Sequence, residues 1–169
     1  EDMTSHVAQV IPYVEDTRNC LLVELSDLPG LDLMASLQAA LKTAIQLEFQ
    51  LEDRELAAEP LPSDADRRTL LFYEAAEGGA GVLRQLVDDP AALRNVARRA
   101  LELCHFDPDT GADRPLEGEP CEAACYSCLL SYFNQRDHRL LDRKLLPALL
   151  HTWSNGQVKT SPRLSSRED

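Results

Sequence analysis

The stretch TLLFYEAAEGGAGVLRQLV, residues 69–87, decides the architecture. Thr69–Glu74 is a strand-length run of β-formers, glycines at 78, 79 and 81 break it, and Val82, Leu83, Leu86 and Val87 then recur at helical spacing. Strand, glycine turn and helix follow without a gap, which implies a small sheet with helices packed on it. Backbone N–H groups at such a turn can bind a phosphate. Here no Lys-Ser or Lys-Thr pair follows, and Glu74 and Glu77 would repel an anion, so a tight turn with close helix-on-strand packing is the favoured reading. No cofactor-binding residue is assigned.

Upstream, Cys20–Leu25 is a second apolar run of strand length that closes at Pro29-Gly30. Pro12 interrupts Val10, Ile11 and Val14, leaving room for at most one irregular strand there. From Leu33 to about Leu51 the positions Met34, Leu37, Leu41, Ala44 and Ile45 mark a helix, with Asp32 placed to cap it. Residues 52–68, charged and proline-containing, read as a surface connection. Downstream, Asp88-Asp89-Pro90 opens a helix that runs to Cys104, and residues 105–120 are a loop. The spacing predicts a helix from about Cys125 to Phe133 and a last one from about Leu140 to Trp153. The expected divisions are 1–19, an irregular N-terminal segment; 20–153, the domain; and 154–169, a flexible tail or linker. The chain begins at Glu1 without a Met, as a piece of a longer polypeptide would.

Four of the five cysteines lie between residues 104 and 128, and three of them form C-x3-C-x2-C at 121, 125 and 128. With no export signal in the sequence, that clustering suits ligands converging on one ion better than a disulfide framework. A structural zinc takes four thiolate or imidazole ligands in a tetrahedron. Cys121, Cys125 and Cys128 supply three; Cys104 is the natural fourth, with His105 or His138 as the substitute. An unbroken helix over 121–128 would part the outer Cα atoms by roughly 10 Å, more than the roughly 9 Å that two thiolates on one zinc allow. Pro120 offers the escape: Cys121 sits in the loop, with Cys125 and Cys128 one turn apart at the start of a helix. The expected fold is α/β, a small central sheet with packed helices and a four-cysteine, zinc-stapled helical end. The same spacing holds the iron–sulfur cluster of radical S-adenosylmethionine enzymes. Against that stand the chain's 169 residues, too few for their barrel, and Ser127 in place of an aromatic. Cys20 reads as an ordinary core thiol.

The net charge of −12 falls mainly on the first third, where residues 1–62 hold 12 acids against 3 bases. Such a surface repels polyphosphate, so an autonomous DNA-binding chain is not expected. Arg94, Arg98 and Arg99, with Arg136, Arg139, Arg143 and Lys144, flank the cysteines as one basic edge or as paired, solvated side chains. No nucleophile, acid–base pair or ATPase motif emerges, and a four-ligand zinc leaves water no open position. The chain is expected to be non-enzymatic and cytoplasmic, with no membrane span.

Several separate motifs also carry a resemblance. They are Leu37–Ile45, Phe49–Asp53, Leu71–Leu83, Leu103-Cys-His-Phe-Asp107, and Cys121–Leu141 with Tyr132-Phe-Asn-Gln-Arg-Asp-His138. Together, over residues 20 to 153, they resemble the C-terminal zinc-binding domain, of MrfA type, found in large DEAD/DEAH-box helicases of DNA repair and of DISARM phage defence. The resemblance implies one structural zinc on Cys104, Cys121, Cys125 and Cys128, and a supporting role for a motor that translocates on DNA. It implies as partners the helicase motor domains of the same polypeptide or a helicase partner, with DNA reached through the parent protein. The competing readings are an iron–sulfur or radical enzyme and a free-standing protein-interaction module.

Overall fold

The computed structural model describes residues 12–27, 29–75, 79–114 and 120–160. A three-stranded antiparallel sheet in the order β1-β3-β2 carries all its helices on one face. Its strands are β1 (Cys20–Glu24), β2 (Leu56–Ser63) and β3 (Asp66–Glu74), and the helices are α1 (Leu31–Phe49), α2 (Val82–Asp88), α3 (Ala92–Leu103) and α4 (Pro147–Ser154). Strand β3 is central because it is the run whose alternate residues are most apolar: Leu70 and Phe72 point inward and are fully buried. Against them α1 sets Met34, Leu37, Leu41 and Ile45, all at most 2 % exposed, and α3 packs beside α1 with Val96, Ala100 and Leu101.

Strand β2 lies where the sequence suggested only a connection. Pro60 and Pro62 disguise it, but proline is tolerated on an edge strand, whose outer N–H groups have no ladder partner to lose. Helix α1 begins at Gly30 with no side-chain cap, so Asp32 acts only as a charge in the first turn and not as the expected cap. Its far end turns through Gln50 in the left-handed region. Cys20 is exposed on β1, not a core thiol, because the alternate residues Leu21 and Val23 are the ones turned toward the core. Residues 12–14 form no strand, and Val10 and Ile11 lie outside the described residues.

The glycine turn resolves into a cap. The Glu74 carboxylate, 2 % exposed, accepts from the backbone N–H of Gly81 and of Leu83, each at 2.9 Å, and from the Asn19 amide at 3.3 Å. The place at the α2 N-terminus that a phosphate would take is thus filled by a carboxylate from the preceding strand. Burial works against the charge, but the N–H donors outweigh it and hold Glu74 below the ordinary glutamate range. Gly79 sits at φ +57, and a Cβ there would collide with that carboxylate. Glu77 and Gly78 of the same turn lie outside the described residues.

The predicted helices over 125–133 and 140–153 are revised. Residues 126–129 form a turn, Tyr132–Asp137 and Arg143–Leu145 are 3-10 helices, and only α4, opened by Pro147 in its first turn, is α-helical. Of the 154–169 tail, Ser154 still belongs to α4 and residues 161–169 lie outside the described residues. Among the described residues no helix is long and apolar enough to cross a membrane.

Candidate metal centre

Helix α3 ends in a Schellman motif: Phe106 N–H reaches Leu101 O at 2.9 Å and His105 N–H reaches Glu102 O at 3.0 Å. That motif requires a left-handed residue after the C-cap, a place normally taken by glycine, and here His105 occupies it at φ +62. A non-glycine residue pays about 1–2 kcal/mol for that conformation. The bend aims its imidazole at the cysteines, with Nε2 at 3.3 Å from Cys125 Sγ.

Cys121 follows Pro120 in irregular chain, as the helix-length argument required. Cys125 and Cys128 then face each other across a tight turn, closed by Cys128 N–H to Cys125 O at 3.1 Å and Leu130 N–H to Cys125 O at 3.0 Å. The turn folds the two thiols inward, and no helix forms here. The Cys125 N–H points at Cys128 Sγ, 3.1 Å away, a bond that favours the thiolate. The sulfurs of Cys121 and Cys128 lie 3.7 Å apart and those of Cys125 and Cys128 3.5 Å. With His105, the four ligand atoms all fall within 4.8 Å of one another. A zinc tetrahedron with bonds of about 2.3 Å to sulfur and 2.0 Å to nitrogen demands S···S near about 3.8 Å and N···S near about 3.5 Å. The donor set fits one structural zinc ion.

The sequence placed Cys104 fourth and held His105 as its substitute. In the structure the converging group takes His105 in place of Cys104, which stands one residue before the left-handed bend in the buried core that also holds Cys121 and Cys128. Burial pushes its thiol up to about 12, with Arg143 opposing and Cys121 and Cys125 reinforcing the rise. Burial likewise raises the Cys128 and Cys121 thiols, whereas for Cys125 hydrogen bonds, led by that with Cys128, overcome burial and lower it. Burial, and then Arg143, depress the His105 imidazole, keeping it in the neutral form that coordinates metal. His138 is not in the group; its Nε2 lies 3.0 Å from Ser131 O and 3.1 Å from Asn134 Oδ1.

Sequence reasoning counted Arg143 among a basic edge; the structure buries it at 3 % exposure behind the metal ligands. Its guanidinium donates to Cys121 O at 2.7 and 2.9 Å and to Cys104 O at 3.3 Å, forks onto Asp113 at 2.8 and 3.0 Å, and stacks over Phe106. One cation thereby joins the two chain segments that carry ligands. Three thiolates and a neutral imidazole on Zn2+ would leave one net negative charge, next to which Arg143 sets a guanidinium that it shares with Asp113. Nothing in the residues around 143 signalled this role, since a charge-neutralising arginine has no spacing of its own. Two further bonds dock this knuckle on the sheet half. Ser36 Oγ on α1 accepts from Asp142 N–H at 2.8 Å, and the buried Arg67 on β3 pairs with Asp137 at 2.6 Å. Of the other flanking arginines, Arg98 pairs with Asp109 and Arg99 with Glu102.

A one-faced sheet whose α3-to-loop junction gathers three thiols and an imidazole defines a small zinc-binding domain. The chain belongs to the MrfA Zn-binding domain family, whose model matches residues 37–129, more than half of its length and all of the cysteine cluster. No curated protein and no solved structure matches it.

Proposed function

We propose that this chain is a non-catalytic, Cys3His zinc-binding domain of a cytoplasmic DNA helicase, in which His105, Cys121, Cys125 and Cys128 are the ligands. The observation that carries the ligand set is His105, held in a conformation that costs energy and aimed at three converging thiols. When bound, the ion supplies a fixed tetrahedral crosslink between the end of α3 and the loop before residue 129. With all four positions filled by protein there is no place for an activated water, which supports the reading that the domain positions a motor and does not itself react. The helicase context, in DNA repair or phage defence, is supported by the family and by the separate motifs described above.

Zinc content of the purified chain by atomic spectroscopy tests the site. Wild type and Cys104→Ala are expected to hold one equivalent, while Cys125→Ser and His105→Ala lose most of it. Retention by His105→Ala together with loss by Cys104→Ala would replace the ligand set with four cysteines. Visible absorption with iron in place of zinc would overturn the zinc reading altogether. In the parent polypeptide, Cys125→Ser is expected to depress DNA unwinding more than ATP hydrolysis, and equal loss of both would count against a supporting role.

A further inference from the structure

Beside the metal ligands the chain exposes three aromatic rings, of which Phe133 meets another element, lying under the Lys42 ammonium of α1 at 6.0 Å. Tyr126 is 73 % exposed, Tyr132 77 % and Phe133 76 %, in a chain where only 5 % of residues are aromatic. They share the segment from Tyr126 to His138. The Tyr126 ring meets His138 edge-on at 6.0 Å, His138 is bonded to Ser131 and Asn134, and Tyr132 meets Phe133 edge-on at 5.7 Å. A Ser131–Asn134 capping box and the Arg67–Asp137 pair fix that segment to the sheet half. The rings are therefore held out on a braced support, not left loose.

The same segment also carries positive charge without an acidic partner. Arg18, Arg67, Arg68, Arg84, Arg98 and Arg143 each have an acidic partner, but the exposed Arg136 and Arg139 have none among the described residues. Asp137 between them is committed to Arg67. Solvent-facing rings beside free guanidinium groups are the elements of a stacking platform for nucleobases with phosphate contacts alongside.

We infer that Tyr126, Tyr132 and Phe133, with Arg136 and Arg139, form a binding site for single-stranded nucleic acid. Magnitudes decide for a single strand over a duplex. A duplex binder gains most of its affinity from many phosphate contacts, on the order of 6–10 in strong cases, and this chain offers two free cations here against a net charge of −12. Base–aromatic stacking is worth about five- to 150-fold per base and needs faces that only unpaired bases present. The site deepens the DNA-helicase reading and rests on its metal-held fold: the zinc crosslink would fix Tyr126 within the Cys125–Cys128 turn and so set the platform's geometry.

The test is fluorescence anisotropy of the zinc-loaded full chain with a labelled oligothymidylate of about twelve nucleotides. A duplex of equal length and a polyglutamate peptide serve as comparisons, and zinc content is measured on the same samples. The single strand is expected to bind at least tenfold more tightly than the duplex. The double variant Tyr132→Ala/Phe133→Ala should weaken binding about tenfold or more, and its zinc content should be unchanged because the rings lie in solvent. Arg136→Ala/Arg139→Ala should weaken binding and flatten the log–log salt dependence by about 1.4. Binding that ignores the ring substitutions, or a duplex bound as well as the single strand, overturns the site. Polyglutamate bound as tightly as the oligonucleotide overturns it in favour of an acidic protein partner. A zinc-loaded wild type that binds no oligonucleotide overturns the site while leaving the metal reading intact, whereas a wild type without zinc overturns both.

Discussion

Between Cys20 and Leu103 the described chain is mostly strand and helix, and its interior is aliphatic; between Cys121 and Leu146 it holds neither strand nor α-helix, and its interior is thiols, one guanidinium and a few leucines. The first region is an ordinary consequence of periodicity. Apolar residues at spacings of two and of three to four bury themselves against one another, and burial of each such side chain contributes roughly 1.5–3 kcal/mol. The second has too little apolar surface to order its own backbone, so specific bonds take over: a ligand group, the Arg143 fork, Ser36 on Asp142 and Arg67 on Asp137. The difference implies that the two regions depend on different things and can be made to fail separately.

The most severe separation is metal removal. In small zinc domains the apparent binding free energy reaches about 10–16 kcal/mol, which exceeds what the packing of the knuckle can supply. Chelation or Cys128→Ser is expected to abolish hydrogen-exchange protection for amides such as Leu130 and Arg143 while Leu70 and Phe72 in β3 keep theirs. Uniform loss across both regions would show that the two are one cooperative unit. The converse substitution, Phe72→Ala, removes the largest fully buried side chain and should cost about 3–5 kcal/mol, read as a lower urea midpoint for the whole domain with zinc still bound. A domain that released zinc without unfolding would contradict the division.

Arg143→Met tests the knuckle without touching a ligand. It keeps volume but leaves the Cys104 and Cys121 carbonyls and Asp113 without their donor, an expected loss of about 3 kcal/mol in denaturant titration of the zinc form. Arg143→Lys keeps the charge and cannot span two carbonyls and a carboxylate, so it should fall between Met and wild type. Equality of Lys with wild type would reduce Arg143 to a counter-charge.

The same contrast explains what could be read from residues alone. The α1, α3 and β3 patterns were legible because hydrophobic periodicity is a local record of burial: Met34, Leu37, Leu41 and Ile45 announce their face wherever they stand. Strand β2 was hidden because Pro60 and Pro62 speak against a strand, and only its place at the sheet edge makes them harmless. The knuckle was legible as chemistry but not as shape. Cysteine spacing announces a metal, but nothing between Cys125 and Phe133 records that the backbone must turn to let sulfurs converge. Likewise cysteine clustering made Cys104 the natural fourth ligand and His105 its substitute, and nothing in Leu103-Cys104-His105-Phe106 records the left-handed bend that favours the histidine. Arg143 and Arg67 could not be told from surface arginines, since their partners lie 30 and 70 residues away.

A smaller effect sharpens the sheet-side description. Glu74→Gln should destabilise by about 1–2 kcal/mol near neutral pH, because an amide cannot accept from both Gly81 and Leu83 as a carboxylate does. Glu74 is held below its ordinary value of 4.5 in the fold, so its contribution is fully present above that pH and is lost as pH falls through the depressed folded value. The gap between wild type and Glu74→Gln, followed by thermal unfolding, should therefore close on acidification. A gap that did not begin to shrink as pH fell below 4.5 would mean that the carboxylate's charge is not what caps α2.

The smallest expected effect is also the most discriminating, because its sign changes with the metal. His105→Gly removes a side chain from a left-handed position that glycine adopts freely, so the metal-free chain should gain about 1 kcal/mol in urea unfolding. With zinc supplied, the same substitution deletes a ligand and should lower both affinity and stability by considerably more than that. Were Cys104 the true fourth ligand, His105→Gly would stabilise the chain in both conditions, since strain would be relieved and nothing lost. The αL histidine is then either the cost of coordination or an unexplained defect of the α3 terminus, and two denaturation curves, with and without zinc, decide which.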